Sequence, residues 1–171
     1  ENCPQKNSYP ASLIDGSYKN FECKREIFSG VKDLTIITPS AWLASLVKKS
    51  FLRDYPVEVR NNKIDLKIFT PTPGNFREKN NLVGKIIVLG VASIWEKRKG
   101  LHDFLKLSEK LDAEKFSFVI VGRTEKNFAF PKNFLHIERT TTQRELAEIY
   151  SAADFFFNPS YEDNYPTVNL E

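Results

Sequence analysis

With 171 residues, 41% of them hydrophobic and 27% charged, the chain has the make-up of one large or two small globular domains. No apolar run approaches the roughly 18 residues of a transmembrane helix, and Glu1-Asn2-Cys3-Pro4 lacks the basic and apolar regions of a signal peptide. A net charge of +3 suits phosphate-bearing ligands or an anionic membrane surface and does not single out nucleic acid.

There is no methionine, so an excerpt from a longer protein is expected. Two cysteines, Cys3 and Cys23, are too few for a disulfide framework and form no CxxC pair, so reduced thiols are the expectation.

Residues 1–14 carry Pro4 and Pro10 and read as an irregular lead-in. Tyr18, Phe21, Ile27 and Phe28 then recur at near-helical spacing, and Ser29-Gly30 ends that pattern. Leu34 to Thr38 is a β-branched run of the buried parallel kind. Ser40 is placed to cap a helix with Trp42, Leu43, Leu46 and Val47 on one face, and Val57-Glu58-Val59 follows as a second strand.

Asn61 to Asn75 breaks the rhythm. Its Thr70-Pro71-Thr72-Pro73-Gly74 can continue neither a helix nor a ladder, so this stretch marks a domain boundary. The expected division is 1–62 as the end of one domain, 63–75 as linker, and 76–171 as a truncated second domain.

The second half restarts with Ile86 to Val91 as a buried strand. A loop from Ser93 to Gly100 leads to a helix burying Leu101, Phe104, Leu105, Ser108 and Leu111. Phe116 to Val121, closed by Gly122, and Phe134 to Ile137 are strands. Thr142 and Glu145 form a capping box for a helix with Leu146, Ile149, Tyr150 and Ala153 inward, and Phe155 to Phe157 is the last strand. Alternation at this spacing predicts an α/β fold, a Rossmann-like doubly wound parallel sheet.

Ligands of such sheets bind at the carboxyl ends of the strands, and two segments fall there. One is Ser93-Ile94-Trp95-Glu96-Lys97-Arg98-Lys99-Gly100, where cations precede a helix whose free N–H groups favour phosphate. Read alone, it fits a phosphate site and a solvated basic loop equally well. It contains neither GxxxxGK[ST] nor GxGxxG, so phosphate would be held by side chains.

The other segment is Pro159 to Glu171, where Glu162, Asp163 and Glu171 surround Asn164. A helix-capping role explains one of these carboxylates but not all three, and carboxylates are natural partners of sugar hydroxyls. His102 and His136 read as structural, and nothing has the spacing of a nucleophile or metal site.

Asn62-Lys63-Ile64-Asp65-Leu66-Lys67-Ile68-Phe69-Thr70-Pro71 resembles the N-G-I-D-x-x-x-F-x-P linker of the retaining GT-B glycosyltransferases of the large group 1 family. Gly90 to Gly100 resembles that family's glycine-containing strand followed by KG. Leu146 to Ser160 (LAEIYSAADFFFNPS) matches its l-x-x-x-Y-x-x-A-D-x-x-x-x-P-S stretch. The tail resembles its E-x7-E motif, with Asp163 in the first position and Glu171 in the second. Lys63 stands where the linker usually has glycine. Ser93 or Ile94 stands where an arginine usually precedes KG, leaving Arg98 as the nearby substitute.

The resemblance implies a nucleotide-diphosphate sugar as donor, a polysaccharide or glycolipid as acceptor, and hexosyl transfer with retention of configuration. By position, Lys99, helped by Arg98, would contact the diphosphate. Asp163, Asn164 and the backbone that follows would face the sugar and phosphates, with Ser93, Glu162 and Tyr165 as further substrate-binding candidates, so Lys99 and Asp163 are the catalytic candidates. Glu171 would hold the ribose, and Glu138 and Arg139 would lie beside the base.

No cofactor and no metal are expected. The resemblance also implies a cytoplasmic enzyme of cell-envelope synthesis that rests peripherally on the inner membrane face, and an excerpt inactive by itself. The competing reading is a nucleotide-sugar binding module without catalysis.

Overall fold

The computed structural model describes residues 13–125 and 128–171; Cys3, Pro4 and Pro10 lie outside them. The chain divides between Asn61 and Asn62 into two compact units. No helix of the described residues is long and apolar enough to cross a membrane.

In the first unit, α1 (Ser17–Phe28) ends at Ser29, and Gly30 takes the left-handed φ of +82°. Strands β1 (Ile36–Thr38) and β2 (Val57–Val59) pair in parallel around α2 (Ala41–Val47). Ser40 caps α2 as expected, its side chain accepting from the Leu43 N–H at 3.1 Å. The expected inward face is corrected: Leu43 and Val47 are half-buried, whereas Trp42 and Leu46 are 58% and 40% exposed. A helix of two turns has too narrow a stripe to turn four apolar side chains inward. Cys23 is a free, exposed thiol.

The second unit opens with 62–75, which has no helix or strand; the Thr72 N–H donates to Ser151 Oγ at 2.8 Å. A short helix, α3 (Phe76–Lys79), follows. The core is a four-stranded parallel sheet of β3 (Ile86–Ile94), β4 (Phe116–Arg123), β5 (Phe134–Ile137) and β6 (Phe155–Phe156) in the order β5-β4-β3-β6. Helix α4 (Leu101–Lys110) connects β3 to β4, and α5 (Gln143–Ala152) carries the chain back to β6. The strand order reverses between β3 and β6, which creates a topological switch point.

One face of the sheet buries Leu89, Val91, Val119 and Val121 with Ile149 of α5. The other buries Val88, Phe118 and Ile120 with Phe104 of α4. The inward set expected for α4 is borne out, with Leu101, Phe104 and Ser108 buried and Leu105 and Leu111 half-buried.

Two strands outrun their expected ends. The chain reads as loop from Ser93, yet β3 extends to Ile94; β4 passes through Gly122 to Arg123. Their register shifts between Val91 and Ile94, a bulge of the kind that re-aims side chains at a sheet rim. The Trp95 N–H donates to the Arg123 carbonyl at 2.7 Å and its indole Nε1–H to the Val121 carbonyl at 2.9 Å, which carries the pairing past the bulge. The capping box forms: Thr142 Oγ1 accepts from the Glu145 N–H, and the Glu145 carboxylate reaches back to the backbone N–H of Thr142 and, more strongly, to the N–H and hydroxyl of Thr141.

Arg77 joins α3 to the sheet, donating to the Ala152 and Lys85 carbonyls at 2.9 Å each and to Asp154 Oδ2 at 2.8 Å. That Asp154 oxygen also accepts from the Ile87 N–H at 2.7 Å. Desolvation opposes ionisation of Asp154, but the Ile87 N–H and the Arg77 guanidinium outweigh it and hold the carboxyl below its ordinary range. A lowered folded-state value stabilises the fold above the unfolded value of about 4 and loses that contribution as pH falls through the folded value. Urea unfolding from pH 6 to pH 2 should therefore show a fall in stability below about pH 4 that Asp154→Asn flattens.

Candidate functional site

The carboxyl edge of the larger sheet opens into a cleft of about 760 Å³. β3 contributes Ser93, β4 contributes Gly122 and Arg123, the turn after β5 contributes Glu138 to Thr140, and the tail contributes Thr167, Val168 and Glu171. Val91, Val121 and Leu146 supply apolar lining.

Backbone constraints shape this edge. Gly122 has φ +127°, and a Cβ there would lie 1.8 Å from the Ala92 carbonyl oxygen. Gly100 has φ +74°, and a Cβ there would lie 2.3 Å from the Pro159 carbonyl oxygen. Gly100 also leads into α4 from the 3-10 turn Lys97–Lys99. The tail can thus sit directly against the start of α4, because no side chain intervenes.

Three contacts tie the tail there. The Tyr161 N–H donates to the Arg98 carbonyl at 2.9 Å, the Tyr161 hydroxyl bonds the Asp103 carboxylate, and Lys99 Nζ pairs with Asp163 Oδ2 at 2.5 Å. The last pair is sheltered, with 17% and 25% of the two side-chain surfaces exposed. Such a position strengthens a charge-assisted bond relative to open solvent.

Glu171 lines the cleft and is held from α5. Its Oε2 accepts from the Tyr150 hydroxyl at 3.0 Å, and that hydroxyl also lies 3.2 Å from the Val168 carbonyl. Burial, then the Glu171 carboxylate, raises the Tyr150 phenol above its ordinary range, so it remains a donor.

The expected site residues separate into two groups. Ser93, Glu138, Arg139 and Glu171 line the cleft. Lys99 and Asp163 form their own pair, and Arg98 Nε donates to Glu96 Oε1 at 2.8 Å. Glu162 and Asn164 are exposed, while Tyr165 is half-buried and its carbonyl accepts from Asn62 Nδ2 at 3.1 Å. Asp163 and Glu171 therefore take different partners, Lys99 and Tyr150.

Arg123 is a cleft residue that no sequence motif singles out. It lines the cleft, is exposed, and its side chain bonds no other described residue. The available signal was an arginine directly after the glycine closing a strand. His136 is structural: its Nε2 lies 2.7 Å from the Gly122 carbonyl, which assigns the proton to Nε2, and its ring lies 4.8 Å from that of Phe130.

A family model described as "Glycosyl transferases group 1" matches residues 85–171. The chain is 32% identical over 98 residues to an alpha-galactosylglucosyldiacylglycerol synthase of Streptococcus pneumoniae (strain ATCC BAA-255 / R6), a match covering 51% of this chain and 26% of that protein. Among solved structures it is similar to a sucrose-phosphate synthase of Thermosynechococcus elongatus, with a TM-score of 0.73 and 16% identity. That match covers 98% of this chain and 45% of the other. At such identity the likeness shows the fold alone, which is GT-B, and the chain spans less than half the length of either relative.

Proposed function

Because the chain belongs to the group 1 glycosyl transferases, we propose that the full-length protein transfers a hexosyl group from a nucleotide-diphosphate sugar to a glycan or glycolipid, with retention of configuration. The observation carrying this reading is the carboxylate of Glu171 presented in a switch-point cleft, with the Lys99–Asp163 pair formed by the segment that follows β3 and by the same tail that carries Glu171. A ribose needs a carboxylate to accept from its hydroxyls, and a diphosphate needs cations.

In this reading Glu171 accepts from the ribose hydroxyls, and Glu138 and Arg139 border the base. Lys99, with Arg98 and Ser93, meets the diphosphate. Asp163, with Glu162, Asn164 and Tyr165, faces the sugar. During transfer the bond between the anomeric carbon and the phosphate oxygen breaks, and its electron pair departs on the diphosphate. The acceptor hydroxyl oxygen bonds that carbon on the same face, and its proton passes to the departing diphosphate oxygen. Lys99 stabilises charge developing on the leaving oxygen, and no metal or other cofactor is invoked.

The name of the pneumococcal relative supports a glycolipid acceptor. We place the enzyme in the cytoplasm, peripheral on the inner membrane face, in the synthesis of cell-envelope polysaccharide or glycolipid. No nucleic acid is a partner.

Calorimetric titration of UDP-, GDP- and ADP-sugars into the full-length protein tests the reading. One series should bind, and Glu171→Ala should weaken it about 10- to 100-fold, the cost of losing a hydrogen bond to a charged group. Unchanged affinity in that variant would remove Glu171 from the site.

A further inference from the structure

The cations that follow β3 are not free for a diphosphate. Lys99 already pairs with Asp163 and Arg98 with Glu96, so each comes with a counter-charge attached. Lys97 is exposed and does not line the cleft, whereas Arg139 lines it without a partner among the described residues but follows β5, two strands away from β3. A multiply charged leaving group needs a positive group without a carboxylate of its own.

We propose that Arg123 is that group, a diphosphate-binding residue reaching the donor from the β4 side; this rests on the donor reading above. Arg123 lines the cleft, and among the described residues its guanidinium has no hydrogen-bond or ion-pair partner. Its position is set by pairing: it stands opposite Ile94, the last residue of β3, just past the bulge that holds Ser93 at the rim. Its carbonyl accepts the Trp95 N–H at 2.7 Å, which anchors the backbone beneath a free side chain.

In the order β5-β4-β3-β6, Arg123 sits on the strand next to the one that runs into Lys99. Arg139 lies one strand further out, after β5. Two cations on neighbouring strand ends can approach a diphosphate from two directions, and the guanidinium fork matches phosphate oxygens in pairs. An exposed arginine with no bonds of its own stabilises little in the fold, so its removal should register in ligand affinity.

The test compares full-length wild type, Arg123→Ala and Arg123→Lys by titration with UDP, GDP and ADP and the matching monophosphates. For whichever base binds, Arg123→Ala should weaken the diphosphate about 10- to 100-fold, weaken the monophosphate less, and leave the midpoint of thermal unfolding unchanged. Arg123→Lys should recover part of the loss, and the salt dependence of diphosphate binding should fall in Arg123→Ala. Equal losses for diphosphate and monophosphate, or no loss for either, would overturn the role of Arg123 while leaving the donor reading intact. Failure of the wild type to bind any of the three diphosphates would overturn both.

Discussion

Gly122→Ala should destabilise the larger unit by roughly 3–5 kcal/mol, the sum of a strained backbone and an overlap. The residue holds φ +127°, and the added Cβ would lie 1.8 Å from the Ala92 carbonyl oxygen, 2.9 Å from the Ala92 carbonyl carbon and 3.2 Å from Trp95 Cδ1. None of the three can yield cheaply. Ala92 belongs to the register shift of β3, and Trp95 is buried and bonded to the Val121 and Arg123 carbonyls.

Relief would require the ends of β3 and β4 to separate. That motion would also displace Ser93 and Arg123 and disturb the cleft. Gly84 provides the comparison, since it has φ +78° but nothing within 4 Å of where a Cβ would stand, so Gly84→Ala should lose only about 1–2 kcal/mol to backbone strain. Urea unfolding of the two variants decides the matter. Equal losses would mean that close approach contributes nothing at Gly122.

Lys99→Ala should lower the turnover number of the full-length enzyme about 10²- to 10³-fold, the range seen when one group stabilising a developing oxyanion is removed. Stability should change little by comparison, because a partly exposed ion pair contributes about 1 kcal/mol or less. The Lys99–Asp163 pair makes the experiment more informative than a simple charge deletion. Asp163 holds Lys99 beside the start of α4, and Asp163→Asn would free the ammonium without removing it.

If Lys99 acts on the leaving group, Lys99→Ala loses turnover, and Asp163→Asn retains diphosphate affinity while losing turnover through its sugar contact. A Lys99→Ala enzyme with wild-type turnover would eliminate the assigned role. Product anomeric configuration, read by NMR, separately tests retention.

Much of the larger unit was legible in sequence because its strands are short apolar runs and its helices carry one apolar stripe each. Ile86 to Val91, Phe116 to Val121 and Phe134 to Ile137 were recognisable from β-branched and aromatic content, and Phe104 and Ile149 fell on the faces that their spacing assigned. Caps were legible as well, since Ser40 and Thr142 act within three residues of themselves.

The errors lie where partners are distant in sequence. Nothing local to Ser93 or Gly122 reveals that β3 and β4 continue pairing beyond a bulge, because the bonds come from Trp95 to Val121 and Arg123. Nothing local to Trp42 or Leu46 reveals that α2 turns them outward.

By itself, then, the sequence determined the alternation of strand and helix, the parallel sheet, and the identity of the acidic tail and the basic segment. These depend on periodicity and on residue types within a few positions of one another. Tertiary structure alone decided which charges meet: Lys99 with Asp163, Tyr150 with Glu171, and Arg123 with no described partner at the cleft. Such pairings depend on strand order and on glycines that permit backbone contact, as Gly100 does against Pro159. Electrostatic interaction depends on distance in space, and residues 64 positions apart become neighbours only after the sheet has formed.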